Sequence, residues 1–363
     1  YKKSYIFNNI NNNTKGIDVE KPVRIALVGA GLVGKRHISS IEQSNQGKLG
    51  AIVDPQAGAQ ELAQNLQVPY FKTLEELLIS RQIDGVILAT PNQLHVSQAL
   101  ACIAAGYPTL VEKPIATSAL EAQQIVDAAE SKQVPILVGH HRRHNPLIQK
   151  AYELIQNNEI GDVRAVQATC WVHKPEHYFD EAPWRKKTGA GPISVNLIHD
   201  VDLIRYLCGD VVSIQAQSAP SMRGYENEDV AAAVLCFENG AIGTISVSDT
   251  IVSPWSWELT AQENPAYPPT QQSCYQIGGS LGSLSVPDLT LWHNRGKPDW
   301  WQPLSSTHVT RYQSDPLVNQ INHFCQVVRG KESPLVSAQE GWKTLRVIEA
   351  MQSSAANGTK VLL

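Results

Sequence analysis

Two side chains in this sequence have the type and the setting to move a proton. His199 stands in Asn196-Leu197-Ile198-His199-Asp200-Val201-Asp202, and an imidazole with an ordinary pKa of about 6.5 can accept a proton near neutrality. Asp202 follows on the same face of an expected helix that runs on through Leu203, Ile204 and Leu207, where its carboxylate could hold the ring in one tautomer. Lys113 closes the short apolar run Thr109-Leu110-Val111, at the carboxyl end of an expected strand. An ammonium in such a crevice is partly desolvated, and desolvation or a nearby cation favours its neutral form. Glu112 beside it reads as a group that orients rather than reacts. Oxidising a secondary alcohol means losing a proton from oxygen as hydride leaves carbon, and His199 suits the first task. The plain alternatives are a solvated surface lysine and a buried histidine satisfied by Asp202.

Hydride needs an acceptor, and the N-terminal region offers a place for one. Gly29-Ala30-Gly31-Leu32-Val33-Gly34 is a GxGxxG string that follows the buried run Val23–Val28 and opens a helix expected over Leu32–Ser44. Gly29 suits the tight turn, Gly31 the approach of a pyrophosphate, and Gly34 the close packing of helix on strand. Leu32 and Val33 begin the helix whose free N–H groups would face the phosphates. Asp54 ends the next strand, Leu49–Val53, where a carboxylate binds adenine-ribose hydroxyls and repels a 2′-phosphate. Pro55-Gln56-Ala57-Gly58 bring no Arg or Lys, so the expected cofactor is NAD rather than NADP. A simple strand-end cap is the other reading of Asp54.

Strand and helix signals alternate from Pro22 to Val138, which implies a doubly wound parallel sheet covered on both faces. After Pro146 the texture changes. Val163–Val172 alternates like a half-buried antiparallel strand, with further strands expected at Val212–Gln217, Val230–Phe237, Ala241–Ser248 and Trp257–Ala261. Asn239-Gly240 marks a hairpin turn. The expected fold is therefore an α/β Rossmann domain over residues 22–143, then an α+β domain over 144–363 with an open, mostly antiparallel sheet. Two closing helices, Leu317–Val328 and Ala338–Gln352, can pack back on the first domain. Residues 1–21, Asn-rich and aperiodic, read as a flexible arm without the order of a secretory signal.

Four motifs in sequence order resemble the glucose–fructose oxidoreductase/inositol dehydrogenase (Gfo/Idh/MocA) family. They are Gly29–Gly34, Ala89-Thr90-Pro91-Asn92 with His95, Glu112-Lys113-Pro114, and His199-Asp200-Val201-Asp202. Val138-Gly139-His140-His141-Arg142-Arg143 resembles the family's exit from the last strand of the nucleotide domain. The resemblance implies that Thr90 and Asn92 line the nicotinamide ribose with His95 behind them, although Asn92 could equally be a helix N-cap and His95 structural. It also implies that Lys113 hydrogen-bonds a substrate hydroxyl, that Lys113-Pro114 is cis, and that the chain forms a homodimer or homotetramer. One departure stands out: many members carry an aspartate four residues before the histidine, and here Val195 occupies that position. Asn196, next to it, can hydrogen-bond a hydroxyl but cannot take its proton.

Trp171 to Lys187 is dense in aromatic and forked polar side chains, and Tyr178, Trp184 and Arg185, with Arg142, are the candidates to hold a polyhydroxylated small molecule. An exposed loop with a tryptophan packed beneath it is the bland reading. Besides a dehydrogenase, an NAD-using glycosidase with transient oxidation and a nucleotide-sensing regulator share these features. A formal charge of −4 with no basic stripe points away from nucleic acid, and no apolar run is long enough to span a membrane. Six scattered cysteines suit reduced thiols in a cytoplasmic setting, and the histidines of residues 140–144 have no carboxylate or cysteine at ligand spacing, so no metal is expected.

Overall fold

The computed structural model describes residues 20–294 and 296–363, so the expected arm, up to residue 19, lies outside the described residues. Six strands, β1 (Val23–Val28), β2 (Gly47–Val53), β3 (Tyr70–Phe71), β4 (Gly85–Leu88), β5 (Thr109–Val111) and β6 (Ile136–Val138), form one parallel sheet ordered β3-β2-β1-β4-β5-β6. Their β-branched runs suit strands covered on both faces: Ile25, Leu27, Ile52, Val86, Ile87 and Leu110 have no exposed surface. Helices Leu32–Gln43, Ala57–Asn65, Leu74–Ser80, Asn92–Ala104 and Ala119–Lys132 connect them. The chain steps outward from β1 to β3 and then returns to β4 on the other side of β1. That reversal opens a crevice at the carboxyl ends of β1 and β4, where sheets of this type take ligands.

The second sheet has nine strands: β7 (Val163–Trp171), β8 (Val211–Pro220), β9 (Glu228–Phe237), β10 (Ile242–Ser248), β11 (Tyr275–Gly279), β12 (Gly282–Val286), β13 (Thr290–Asn294), β14 (Leu304–His308) and β15 (Val361–Leu362). Their order is β14-β13-β12-β11-β7-β10-β9-β8-β15, antiparallel throughout except where β7 lies parallel to β10. The β7 run is therefore an interior strand of mixed pairing, not a purely antiparallel one. The run expected as a strand at Trp257–Ala261 is instead a short helix, Trp257–Thr260, begun at Ser256, with Trp257 buried in the core. Strands β11 to β15 escaped the sequence because they are short, of two to five residues, and Gly or Ser interrupts β11, β12 and β14.

One face of this sheet is covered by helices Pro146–Gln156, Leu197–Cys208 and Ala338–Asn357. The helix Ala338–Asn357 crosses between two apolar cores. Its Leu345 belongs to the core of the parallel sheet, and its Val347, Ile348 and Met351 to that of the second. Ile321, Phe324 and Cys325 of helix Pro316–Val328 also pack into the first core. A bidentate ion pair fastens the passage between the sheets: Arg143, just past β6, donates to Asp202 through Nε (2.8 Å) and a terminal nitrogen (2.7 Å).

His144 sits in the same passage with both ring nitrogens buried and without a hydrogen-bond partner, its ring 5.1 Å from that of His323. Burial, and then the charges of His323, His141 and Arg143, push its pKa down to about 3. The folded ring therefore stays neutral while an unfolded one takes a proton below about 6.5. Stability from this residue is complete above 6.5 and is lost as the pH falls, by about 1.4 kcal/mol per pH unit. We expect His144→Leu to flatten the dependence of urea-unfolding stability on pH between 6.5 and 4.5 by that amount. Parallel profiles for the two proteins would contradict it.

Candidate active site

The glycine corner after β1 is built for a close visitor. Gly29 has φ of +92°, and a Cβ on it would lie 2.6 Å from the Ala89 carbonyl oxygen. A Cβ on Gly34 would lie 1.9 Å from the Gly29 carbonyl oxygen, so helix Leu32–Gln43 can lean on β1 only without one. Gly31 differs: a Cβ there meets nothing within 4 Å, which leaves an open cradle over the helix N-terminus. No side chain caps that helix and no acidic residue stands in its first turn, so its amides remain available to phosphate oxygens. Leu32 and Val33 are exposed beside the cradle. Asp54 closes its far side, accepting from the Ala30 amide (2.7 Å) and the Gln56 amide (2.8 Å). The cleft between them has a volume of about 420 Å³, and Lys35 lines it as well, an ammonium that the segment after Asp54 did not foretell. The corner fits a dinucleotide pyrophosphate and its adenine ribose.

At the ends of β4 and β5 the expected residues meet, with differences. The Lys113-Pro114 peptide is cis. Glu112 accepts from or faces His37 Nε2 at 2.7 Å and takes the Lys113 amide at 3.1 Å, so it orients the backbone of Lys113. Burial would raise its pKa, but the His37 hydrogen bond and the charges of His37, His141 and Lys113 outweigh that and hold it down to about 2. His37, on the glycine-corner helix, was not foreseen; only the fold brings it to Glu112. His95 is a correction. It is fully buried, with Nδ1 2.8 Å from the Pro114 carbonyl and Nε2 2.9 Å from the Thr90 carbonyl, so it staples two loops and has no surface for a cofactor. Thr90 donates to Gln98 (2.6 Å). Asn92 is exposed at the first turn of its helix, whose cap position belongs to Pro91, so the N-cap reading of Asn92 does not hold.

His199 comes from the other domain. Its helix, Leu197–Cys208, is buried on almost every side. The His199 ring packs edge-on against His141 (5.7 Å) and His140 (6.3 Å), and its Nδ1 is buried with no partner. Burial, and then the charges of Lys113, Arg142, His141 and His140, drive its pKa well below the usual value. Burial likewise lowers that of Lys113, helped by Arg142 and opposed by Glu112 and Glu258. Asp202 does not orient the imidazole. It is taken by Arg143 and by the Thr344 hydroxyl (3.0 Å), because a helix buried all round offers each side chain a different neighbour.

Behind the imidazole lies a layer of acids that the sequence reading missed. Arg142, expected to touch substrate, is buried and paired to Glu258 (2.7 Å), with Nε and its other terminal nitrogen unpartnered. His141 Nε2 lies 3.0 Å from Glu263, which also accepts from Asn145 (3.0 Å) and Trp257 Nε1 (2.9 Å). Asp200 takes the Tyr275 hydroxyl, and burial, opposed by Arg142, raises its pKa to about 6. Glu258 and Glu263 could be found only by reading Trp257–Thr260 as helix; the carboxylate beside the histidine run comes from a distant segment.

The overhanging segment is partly engaged with itself. The Arg185 guanidinium stacks over Tyr178 (3.9 Å) and lies 5.9 Å from Trp184, which is exposed. Asn196 accepts from Lys174 (2.6 Å), whose ammonium is also 3.4 Å from Asp249. Among the described residues no three His, Cys, Asp or Glu side chains gather as metal ligands, and no helix is long and apolar enough to cross a membrane.

Comparison with known proteins agrees with this architecture. Residues 23–140 match a family described as "Oxidoreductase family, NAD-binding Rossmann fold", and residues 148–285 match the "GFO/IDH/MocA C-terminal domain". The rhizopine catabolism protein MocA of Rhizobium meliloti is 28% identical, over 90% of this chain and 93% of its own length. The scyllo-inositol 2-dehydrogenase (NAD(+)) of Bacillus subtilis is 27% identical, over 95% and 97%. The WlbA dehydrogenase of Bordetella pertussis, crystallised with NADH and UDP-GlcNAcA, superposes with a TM-score of 0.75 at 26% identity, over 94% of this chain and 99% of that one.

The three glycines separate fold from binding. Gly31→Ala, at a φ of −70° that alanine adopts freely, should leave the empty protein as stable or about 0.4–1 kcal/mol more so. Its Cβ should nonetheless fill the cradle and weaken NADH binding, read by fluorescence titration, by about tenfold, the 1.4 kcal/mol scale of one misplaced contact. Gly34→Ala should lower the thermal midpoint of the empty protein. Wild-type NADH affinity in Gly31→Ala would remove the cradle from the cofactor site.

Proposed function

The chain belongs to the GFO/IDH/MocA family of NAD-binding oxidoreductases, and on that premise we propose that it is a dehydrogenase moving hydride between a secondary hydroxyl of a sugar, sugar acid or cyclitol and NAD. What supports this reading is that buried His199, packed edge-on against His140 and His141 from the segment after β6, feels the charge of Lys113 at the end of β5, which lowers its pKa. Bound NAD supplies the hydride acceptor. Lys113 donates a hydrogen bond to the reacting hydroxyl and stabilises negative charge on that oxygen as the C–H bond weakens. His199, held neutral, accepts the hydroxyl proton. Glu112 stays ionised against His37 and takes no proton. With Val195 where many members have aspartate, no third acid joins this pair; Asn196, anchored by Lys174, offers hydrogen bonds alone.

A polyhydroxylated substrate is supported by the aromatic and forked groups of Tyr178, Trp184 and Arg185 over the crevice, and by relatives named for inositol or crystallised with a nucleotide sugar acid. Preference for NAD over NADP rests on the Asp54 carboxylate at the ribose end of the cleft, with Lys35 as its local counterweight. Six unpaired cysteines suit a reducing compartment. The outer face of the second sheet presents Gln215, Val234, Thr244 and Gln167 as one cross-strand row of exposed side chains, which supports a second copy of the chain as its neighbour.

Purified protein should form NADH, followed at 340 nm, with at least one member of a broad sugar and polyol panel; silence across the panel from pH 6 to 10 would end the proposal. For the reactive substrate, kcat/KM should fall on the acid side below the ordinary histidine value of 6.5, as His199 gains a proton. It should fall on the alkaline side below the ordinary lysine value of 10.5, as Lys113 loses one. Lys113→Met should lower kcat by about 10²–10⁴ and abolish the alkaline limb. His199→Ala should lower kcat to a similar extent and abolish the acid limb. Retention of either limb in its variant would reassign that residue.

A further inference from the structure

The imidazole at the centre of the crevice has no carboxylate of its own, yet the one beside it does. Asp202 is committed to Arg143 and Thr344. His141, by contrast, sets Nε2 3.0 Å from Glu263 Oε1 and packs its ring against His199 with centroids 5.7 Å apart and planes at 71°. Glu263 is a built acceptor. Three donors converge on it, from His141, from Asn145 Nδ2 at 3.0 Å and from Trp257 Nε1 at 2.9 Å, and its side chain is only 10% exposed. Asn145 and His141 belong to the passage between the domains, Trp257 to the short helix and Glu263 to the loop that follows it, so this carboxylate joins both to the ring.

We propose that Glu263 and His141 are the positioning pair of the site: Glu263 fixes the tautomer and plane of His141, and His141 in turn sets the orientation and proton affinity of His199. The inference rests on the reading of His199 as proton acceptor. Glu263 takes the proton of His141 Nε2, so in the neutral ring Nδ1 is the lone-pair nitrogen. The ring cannot turn over without giving up that bond. His199, whose Nδ1 has no partner, is then held by ring edges rather than by a hydrogen bond. A carboxylate behind His141 also places negative charge against a cluster otherwise crowded with positive groups. Those facing His199 are Lys113 from the end of β5, and Arg142, His141 and His140 from the passage. Asp200 and Asp202, on its own helix, are turned to Tyr275 and Arg143. Glu263 is held down to about 2, burial being outweighed by His141, Arg142 and Trp257, so it keeps its charge throughout the working range.

The test uses two variants, a conservative third as control, and two readouts. Glu263→Gln keeps the shape and a hydrogen-bond acceptor but removes the charge; His141→Phe keeps an aromatic edge and removes the proton site. In the full-length protein without cofactor, selectively ¹⁵N-labelled histidine should show a hydrogen-bonded Nε2 proton for His141. That signal should weaken in Glu263→Gln, and the His199 titration should move to lower pH in Glu263→Gln, which removes a negative charge, and to higher pH in His141→Phe, which removes a group whose charge lowers it. In turnover, the acid limb of kcat/KM should shift in the same direction as the titration in each variant, and kcat should fall about tenfold or more. KM for NAD should stay unchanged in both, and Glu263→Asp should restore part of the loss. A His199 titration and acid limb that stay in place in both variants, whatever happens to thermal stability, would overturn the proposal. If wild type oxidises no polyol, the catalytic reading fails, while the NMR arm still decides whether the pair governs His199.

Discussion

The pair of hydrogen bonds between Arg143 and Asp202 is the joint on which the site depends. Both groups are almost entirely buried, with side-chain exposures of 2% and 1%. A pair in that setting adds little net stability, since desolvation cancels most of the attraction, but removing one partner strands the other at a cost of about 3–5 kcal/mol. Its contribution is direction. Arg143 leaves the parallel sheet a few residues after β6, and Asp202 lies one turn beyond His199, so a fork of fixed geometry sets the His199 helix against the segment that leaves β6. Glu340 takes the same guanidinium at 3.1 Å and Arg205 at 3.2 Å, which draws the helix Ala338–Asn357 into the joint. Two separately cored layers are thereby held to each other through buried charges.

That docking creates an electrostatic problem which the surrounding acids moderate. Lys113, Arg142 and three imidazoles crowd one small volume, and each cation makes the next proton harder to hold. Glu112, Glu258 and Glu263 stand behind Lys113, Arg142 and His141 respectively, and each is anchored by its own donors. The result is a floor that is nearly balanced in charge yet leaves His199 neutral. Groups so close titrate as a set, so a limb in a rate profile belongs to the cluster as much as to one residue.

Reading ahead from the residues placed them correctly in the fold where the signal lies in one continuous stretch. The glycine corner, Asp54, Lys113 and His199 each sit at the end of a strand or within a helix whose pattern is local, and Gly29, Gly31 and Gly34 differ in the structure in the ways their spacing implies. It failed where a partner arrives from afar. Asp202 was matched to His199 because residues three apart share a helix face, but that argument assumes one buried face, and this helix has no exposed one. His95 looked like a cofactor contact and is a staple, since the carbonyls of Thr90 and Pro114 reach it only once β4 and β5 lie side by side. The histidine run was set aside for want of a neighbouring carboxylate, and Glu263 supplies one across the fold.

The misread segment at Trp257–Thr260 shows why such partners resist prediction and why they matter. Trp-Glu-Leu-Thr has β-branched and aromatic weight, so propensity alone favours a strand, yet burial of Trp257 against Tyr275 and the pull of Arg142 on Glu258 select a helical turn. A strand would have alternated its side chains across the sheet and sent Glu258 to the opposite face from Trp257. A turn of helix instead lets Trp257, Glu258 and Glu263 all reach the passage between the domains. The glycine corner is thus written into the first domain, whereas the carboxylates paired to Arg142 and His141 depend on a short element whose conformation is decided by tertiary contacts.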